Sequence, residues 1–321
     1  MVKSVYVEEE EHKRPFVYVL LVFLLVSLII SMFLLYELLP QGTETFNRYE
    51  LSKNFSSFNE SKHGQFYSDM RFSDSLISYH IDSDCSDIRY NDMIGAFNFL
   101  ENQTIVRFYE ISLNSQIAVH CSNSAKIEGK MIIAGEGGPN YVVQTDHYNI
   151  IINGSILLLR DSNCPRPNIA IHELLHVFGF DHSNVSSSIL YPTSRCEQQL
   201  SQDIIDTIDN LYSVESLPDL YFSEAYANKS GRYLNLDVEI KNSGLRDAKP
   251  FDMYVYADAE FVEKFSFENI GVGEGRILRV NNLKMPISNV KKIIFFIDEK
   301  NNTKEIDKSN NKVTLNIEVS S

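Results

Sequence analysis

Residues 16–36, FVYVLLVFLLVSLIISMFLLY, run for 21 residues without a charged side chain and with only two serines. At about 1.5 Å per residue such a helix is about 30 Å long, which matches the hydrocarbon core of a bilayer. A helix in the core of a soluble domain would show one polar face, and this stretch is apolar all round. A signal peptide has a shorter apolar run and an A-x-A-like cleavage site, whereas this sequence continues ELLPQGTE. The expectation is an uncleaved transmembrane helix over 16–36.

Basic residues set the orientation of such a span, and acidic ones count for little. Lys13 and Arg14 abut the run on its N-terminal side, with Lys3 and Glu8 to Glu11 further back, and the first basic residues beyond it are Arg48 and Lys53. Residues 1–15 are therefore expected as a cytoplasmic tail, and everything after 36 outside, in a single-pass protein of the cell membrane. All four cysteines, Cys85, Cys121, Cys164 and Cys196, lie in the outer portion, an even number in an oxidising compartment. The N-x-[ST] acceptors at Asn54, Asn59, Asn102, Asn153, Asn184, Asn228 and Asn301 lie there too. The chain carries 29 Lys and Arg against 43 Asp and Glu, a net −14. No basic face suited to a nucleic-acid partner is visible.

Residues 37–65 are polar and lack a sustained period, as a stalk would be. A folded pattern starts at about 66. Residues 70–81 (MRFSDSLISYHI) alternate like one strand, and 86–102 carry Ile88, Met93, Ile94, Phe97 and Leu100 on a helical stripe. TIVRFYEISL and QIAVHC read as strands, and so do YNIIING and SILLLR on either side of a turn at Gly154. A helix is expected from about Asn168. Another covers 200–212, with Ser201 as its cap and Ile204, Ile208 and Leu211 on one stripe. SLPDLYF (216–222) marks a boundary. Beyond it, YLNLDVEIKN, FDMYVYAD, EFVEKFSF, RILRVNNL, KKIIFFID and KVTLNIEV are short alternating strands parted by Gly, Asn and Asp, the pattern of a β-sandwich.

The chemistry is concentrated in HELLHVFGFDH, residues 172–182. Positions i and i+4 of a helix share a face, so His172 and His176 can present imidazole nitrogens to one metal ion. Glu173, one position round, can reach a water on that ion. Gly179 allows a left-handed exit from the helix, after which His182 can supply a third ligand. Three protein ligands with one position open describe a catalytic zinc site, not a structural one. By composition alone, roughly one chain in a hundred thousand would carry all these residues at this spacing.

Here the sequence resembles the metzincin metallopeptidases, whose signature is H-E-x-x-H-x-x-G-x-x-H followed by a Met-turn. It is similar to the matrixin branch in having Ser183 after the third histidine and ILYP (189–192) where that branch has Leu-Met-Tyr-Pro. Leu190 thus stands at the Met position, with Tyr191 and Pro192 completing the turn. The swap keeps an apolar residue of similar volume. The resemblance implies a zinc endopeptidase with one catalytic Zn2+ held by His172, His176 and His182, with Glu173 as general base and a protein or peptide substrate lying along a sheet edge. No cysteine precedes Cys85, so the thiol that caps zinc in animal matrixin zymogens has no counterpart. His120 and His147 read as ordinary strand or loop residues. Calcium has suitable oxygens in GEGGPN (135–140) and DSD (82–84), but without a recognised spacing. A rival reading is an anchored adhesin whose zincin domain binds without cutting, in which Glu173 would be idle.

The C-terminal strands resemble the cell-adhesion-related sandwich domain, CARDB, in PDL (218–220), VEIKNSG (238–244) and KSNNKVTL (308–315). Such a module would position the peptidase or bind a surface polymer or protein. The expected fold is therefore α+β. A zincin domain over 66–215, a mixed twisted sheet with an active-site helix, follows the anchor and stalk, and an all-β sandwich covers 216–321. Four cysteines permit three pairings. Cys164 lies just before the zinc helix and Cys196 just after the turn below it, which favours joining those two and leaves Cys85 with Cys121.

Overall fold

The computed structural model describes residues 13–38, 43–50, 64–124, 126–128, 131–162 and 164–316. The expected cytoplasmic tail up to residue 12, stalk residues 51–63 and the end of the last expected strand lie outside them. Helix α1 (Lys13–Leu38) contains the stretch Val17–Leu35, with mean hydropathy 3.0 and none of it buried in the protein. It is long and apolar enough to cross a membrane, and the side chains of Val17–Leu35 are exposed among the described residues.

Two short strands follow, β1 (Thr43–Thr45) and β2 (Tyr49–Glu50), in the stretch expected to be stalk. Next come β3 (Met70–Phe72), β4 (Leu76–Ile81), helix α2 (Asp87–Gln103), β5 (Arg107–Glu110) and β6 (Ile117–Cys121). The hairpin of β7 (Ile127–Glu128) and β8 (Met131–Ile132) leads into β9 (Gly135–Gln144) and β10 (Asn149–Leu158). Helices α3 (Asn168–Val177) and α4 (Gln202–Ser213) complete this unit. Residues 70–81 therefore form two strands, not one. The break at 73–75 lets β3 pair with β10 while β4 sits between β5 and β6.

The sheet order is β3-β10-β6-β4-β5, all parallel, with β9 antiparallel on the other side of β10. Gly154 is not a turn. Strand β10 continues through it, with a register shift at Asn153–Gly154 against β9. A Cβ at 154 would lie 2.7 Å from the Val177 side chain and 2.8 Å from the Gly138 carbonyl oxygen, so glycine serves close approach of strand to helix. Helix α2 is capped by Ser86, whose hydroxyl accepts from the Arg89 amide at 3.4 Å. Ser201 occupies the N-cap position of α4 but makes no side-chain capping bond. The buried stripe Ile204, Ile208 and Leu211 instead docks α4 onto the same core as α2 and α3.

The second unit is built from β11 (Leu220–Ser230), β12 (Tyr233–Asn242), β13 (Phe251–Ala257), β14 (Glu260–Phe267), β15 (Gly275–Lys284), β16 (Lys292–Ile297) and β17 (Lys312–Asn316). Strand β11 begins inside the stretch read as a boundary, and its interior, SEAYANKS, carries little apolar alternation. The sheets β1-β11-β12-β15 and β14-β13-β16-β17 enclose a second core. Alternation drives this packing: Leu234, Leu236, Val238 and Ile240 of β12 all point inward. Strands β1 and β2 pair with β11, and Phe46 between them is 1% exposed in this core. Part of the expected stalk is thus structural.

The units meet where the β9–β10 turn touches the start of β11. Asp146 pairs with the Tyr221 hydroxyl, His147 lies 3.8 Å from Asp219, and Arg246 bonds Asp74 at 2.6 Å. Gly273 abuts Val143, so closely that a Cβ there would lie 2.7 Å from it.

Candidate metal centre and active site

Helix α3 is apolar on nearly every side, and all but one of its residues are buried. A helix of that kind belongs at the centre of a core, so the polar groups it carries there need partners. His172 and His176 lie one turn apart on it. Gly179, at φ +85°, reverses the chain, and its amide donates to the His176 carbonyl at 2.9 Å. A side chain here would be strained and would strike Met70. The reversal carries His182 back to the other two.

The three imidazoles converge through Nε2. The separations are 2.9 Å for His172–His176, 3.3 Å for His172–His182 and 3.2 Å for His176–His182. Second partners fix which nitrogen carries the proton. Nδ1 of His172 donates to the Ile189 carbonyl at 2.7 Å, and Nδ1 of His176 to the Phe180 carbonyl at 2.7 Å. A carbonyl only accepts, so both Nε2 atoms present lone pairs to the common point. Burial, then the neighbouring His176, pushes the pKa of His172 down to about 4, and burial also lowers that of His176. Both rings are therefore neutral ligand forms at neutral pH.

This donor set fits a zinc ion. Nitrogens about 2.0–2.1 Å from one tetrahedral zinc lie about 3.3 Å apart. Converging lone pairs repel one another unless a cation lies between them. Among the described residues, this is the one group of three or more His, Cys, Asp or Glu side chains close enough to share an ion. Phe66 stacks on the His176 ring at 6.0 Å and 23°. Its segment is tied down by the Phe66 amide donating to the Gly179 carbonyl and the Asp181 amide donating to the Gly64 carbonyl, both at 2.7 Å.

Glu173 is 6% exposed, and burial followed by the charge of Glu136 pushes its pKa up to about 8. Strand β9 closes over it. A Cβ at Gly135 would lie 2.9 Å from the Glu173 side chain, and one at Gly137 would collide with the Glu173 carbonyl oxygen. The GEGGPN stretch considered for calcium is thus the close-packed start of β9. Asp82 of the other candidate stretch accepts from His120 Nδ1 at 2.6 Å and lies 3.7 Å from His80.

Below the histidines, Leu190 is 3% exposed, and its carbonyl accepts from the Ser183 amide at 2.9 Å. Tyr191 is half-buried and Pro192 exposed. The following loop is held by Gln198, fully buried, whose side-chain amide donates to the Thr193 and Ser186 carbonyls. Disulfides join Cys164 to Cys196 and Cys85 to Cys121. Ile189, Phe180, Phe66, Gly135 and Gly137 act through backbone carbonyls, a ring face or a missing Cβ. No spacing rule marks such contributions.

Residues 71–213 match the family model described as Matrixin, and residues 217–315 match that of CARDB. No curated protein matches the chain. Among solved structures, the CARDB domain of a Pyrococcus furiosus protein in complex with di-metal ions is 21% identical. The match covers 32% of this chain and 90% of that one, with a TM-score of 0.28. A domain from Methanosarcina acetivorans solved by NMR is 16% identical, with 33% and 95% covered and a TM-score of 0.27.

Proposed function

We propose that this chain, with its matrixin match at 71–213 and CARDB match at 217–315, is a membrane-anchored zinc endopeptidase. His172, His176 and His182 hold the ion and Glu173 serves as general base. Helix α1 is the retained anchor, residues before it are cytoplasmic, and both folded units are extracytoplasmic. The division into tail, anchor, stalk, peptidase (66–215) and sandwich (216–321) belongs to the same proposal, with residues 43–50 reassigned to the sandwich.

The observation that carries the reading is the convergence of three histidine Nε2 atoms beside the buried Glu173 carboxyl. When bound, zinc acidifies a water and polarises the scissile carbonyl. The Glu173 carboxylate takes the proton of the attacking water and delivers it to the departing amine nitrogen as the C–N bond breaks. Burial and the charge of Glu136 raise its proton affinity, which suits a group that must take up and then release a proton. The outer edge of β9 has no strand partner among the described residues, so an extended peptide can pair with it directly above α3.

The test is a peptide-library digest by the full chain in detergent, with and without a chelator. Chelator-sensitive cuts at internal peptide bonds are expected. Metal-loaded protein that binds peptides and leaves every one intact would favour the adhesin reading instead.

A further inference from the structure

We propose that the sandwich is seated on the membrane, and that its β11–β12 end binds the anionic lipid headgroups of the leaflet from which α1 emerges. This rests on the reading of α1 as a retained anchor.

The first observation is reach. Helix α1 ends at Leu38 and β1 starts at Thr43. The step between them spans at most about 18 Å even if fully extended. Thr43 is no loose tether point. It pairs with Ser230, Lys229 bonds Glu44 at 2.9 Å, Phe46 is buried in the sandwich core, and the Asn47 amide donates to the Asn316 carbonyl at 2.8 Å. The sandwich, not the peptidase unit, therefore stands next to the end of the helix.

Register shows which end of the sandwich this is. Thr43 lies opposite Ser230, Ser230 opposite Tyr233, and Tyr233 opposite Lys284. Lys229 Nζ donates to the Ser288 carbonyl at 3.3 Å, and Arg232 to the Pro286 carbonyl at 2.7 Å. These bonds bring the loop leading to Lys291 and Lys292 to the same end.

The second observation is chemistry. Arg232, Lys284, Lys291 and Lys292 are all exposed at this end, and Tyr233, between Arg232 in sequence and Lys284 across the sheet, is 43% exposed. The facing acids are Glu44, paired with Lys229, Asp258, whose carboxylate accepts from the Lys291 and Lys292 amides, and Glu260 in the same turn. Four exposed cations at one end, with Arg232 and Lys284 beside Tyr233, stand against the chain's net charge of −14. Basic groups with an interfacial aromatic match an anionic headgroup layer.

The peptidase unit attaches at the opposite end of β11, through Asp219 and Tyr221. Strand β11 has 11 residues and so separates the two ends by about 33 Å. The sandwich thereby acts as a pedestal. Its seated end fixes how far the metal centre stands from the bilayer, and the substrates it favours are segments held away from the surface.

The chain contains no tryptophan, so Tyr233→Trp introduces a single indole into the full-length protein. That variant is placed in phosphatidylcholine nanodiscs, with or without phosphatidylglycerol, carrying a headgroup nitroxide lipid as quencher. Indole emission is expected to fall at least about twofold in the phosphatidylglycerol discs and to recover at high salt. Each cation at an anionic surface is worth on the order of fivefold in binding, so Arg232→Glu with Lys284→Glu is also expected to restore the emission. Tyr141→Trp, on exposed β9, reports the peptidase unit and is expected to stay bright. Unquenched emission from intact protein in phosphatidylglycerol discs would overturn the proposal, as would equal quenching at the Tyr141 position. The anchor reading is judged separately by intact mass: loss of the residues before Thr43 would remove it, and the seating with it.

Discussion

Replacing Phe46 with alanine probes whether residues 43–50 belong to the sandwich. The ring is 1% exposed, and it packs in a core with Leu220, Phe222, Val313 and Leu315. Truncating a buried phenylalanine costs about 3–5 kcal/mol, the sum of lost transfer energy and the cavity left behind. Two anchors beside it are untouched, the Phe46 amide to the Ala227 carbonyl at 3.2 Å and the Asn47 amide to the Asn316 carbonyl at 2.8 Å. The segment also has a cheaper escape than global unfolding, since it can peel from β11. The loss is therefore capped by what deletion of residues 43–50 costs, and the lower figure, about 3 kcal/mol, is the expectation. For a unit of about a hundred residues, each kcal/mol lowers Tm by about 4–8 °C, so a drop of roughly 12 °C or more should be seen. The assay is calorimetry of the full chain in detergent, following the sandwich transition, with zinc content measured in parallel. Zinc content should not change, because the histidines belong to the other core. A sandwich transition within about 2 °C of wild type would refute the reasoning and return 43–50 to the role of a tether.

Glu173→Ala should retain zinc, since no ligand is touched, yet lose about 10²–10⁴ in hydrolysis rate; wild-type turnover by the purified variant would remove the general-base assignment. Leu190→Met should cost under about 1.5 kcal/mol, while Leu190→Asp should empty the site by burying a charge at a position only 3% exposed. Full zinc occupancy in the aspartate variant, measured by mass spectrometry of the metal, would show that 189–192 is not the supporting turn. Gly137→Ala should destabilise the peptidase unit by about 1–3 kcal/mol, because the new methyl meets the Glu173 carbonyl oxygen. An unchanged denaturant midpoint would mean that β9 does not press on α3 as described.

The three-histidine cluster was legible in the sequence because its parts are local. His172, Glu173, His176, Gly179 and His182 fall within eleven residues, and helical geometry alone carries i and i+4 to one face. The apolar helix was legible for a similar reason, since a run of apolar residues needs no partner to be recognised. Strand alternation likewise exposed most of the sandwich. What tertiary structure decided is everything that depends on residues far apart in the chain. Phe46 was hidden in a polar stretch because its partner strand lies about 180 residues away. Gly154 reads as a turn in isolation, yet pairing with β6 and β9 holds it inside a strand, where Val177 and Gly138 crowd the place of its missing Cβ. Nor could spacing show that the Ile189 and Phe180 carbonyls fix the histidine tautomers, since every residue has a carbonyl and only the fold aims one. Periodicity reports which face of an element is apolar, whereas the identity of what covers that face is settled by packing.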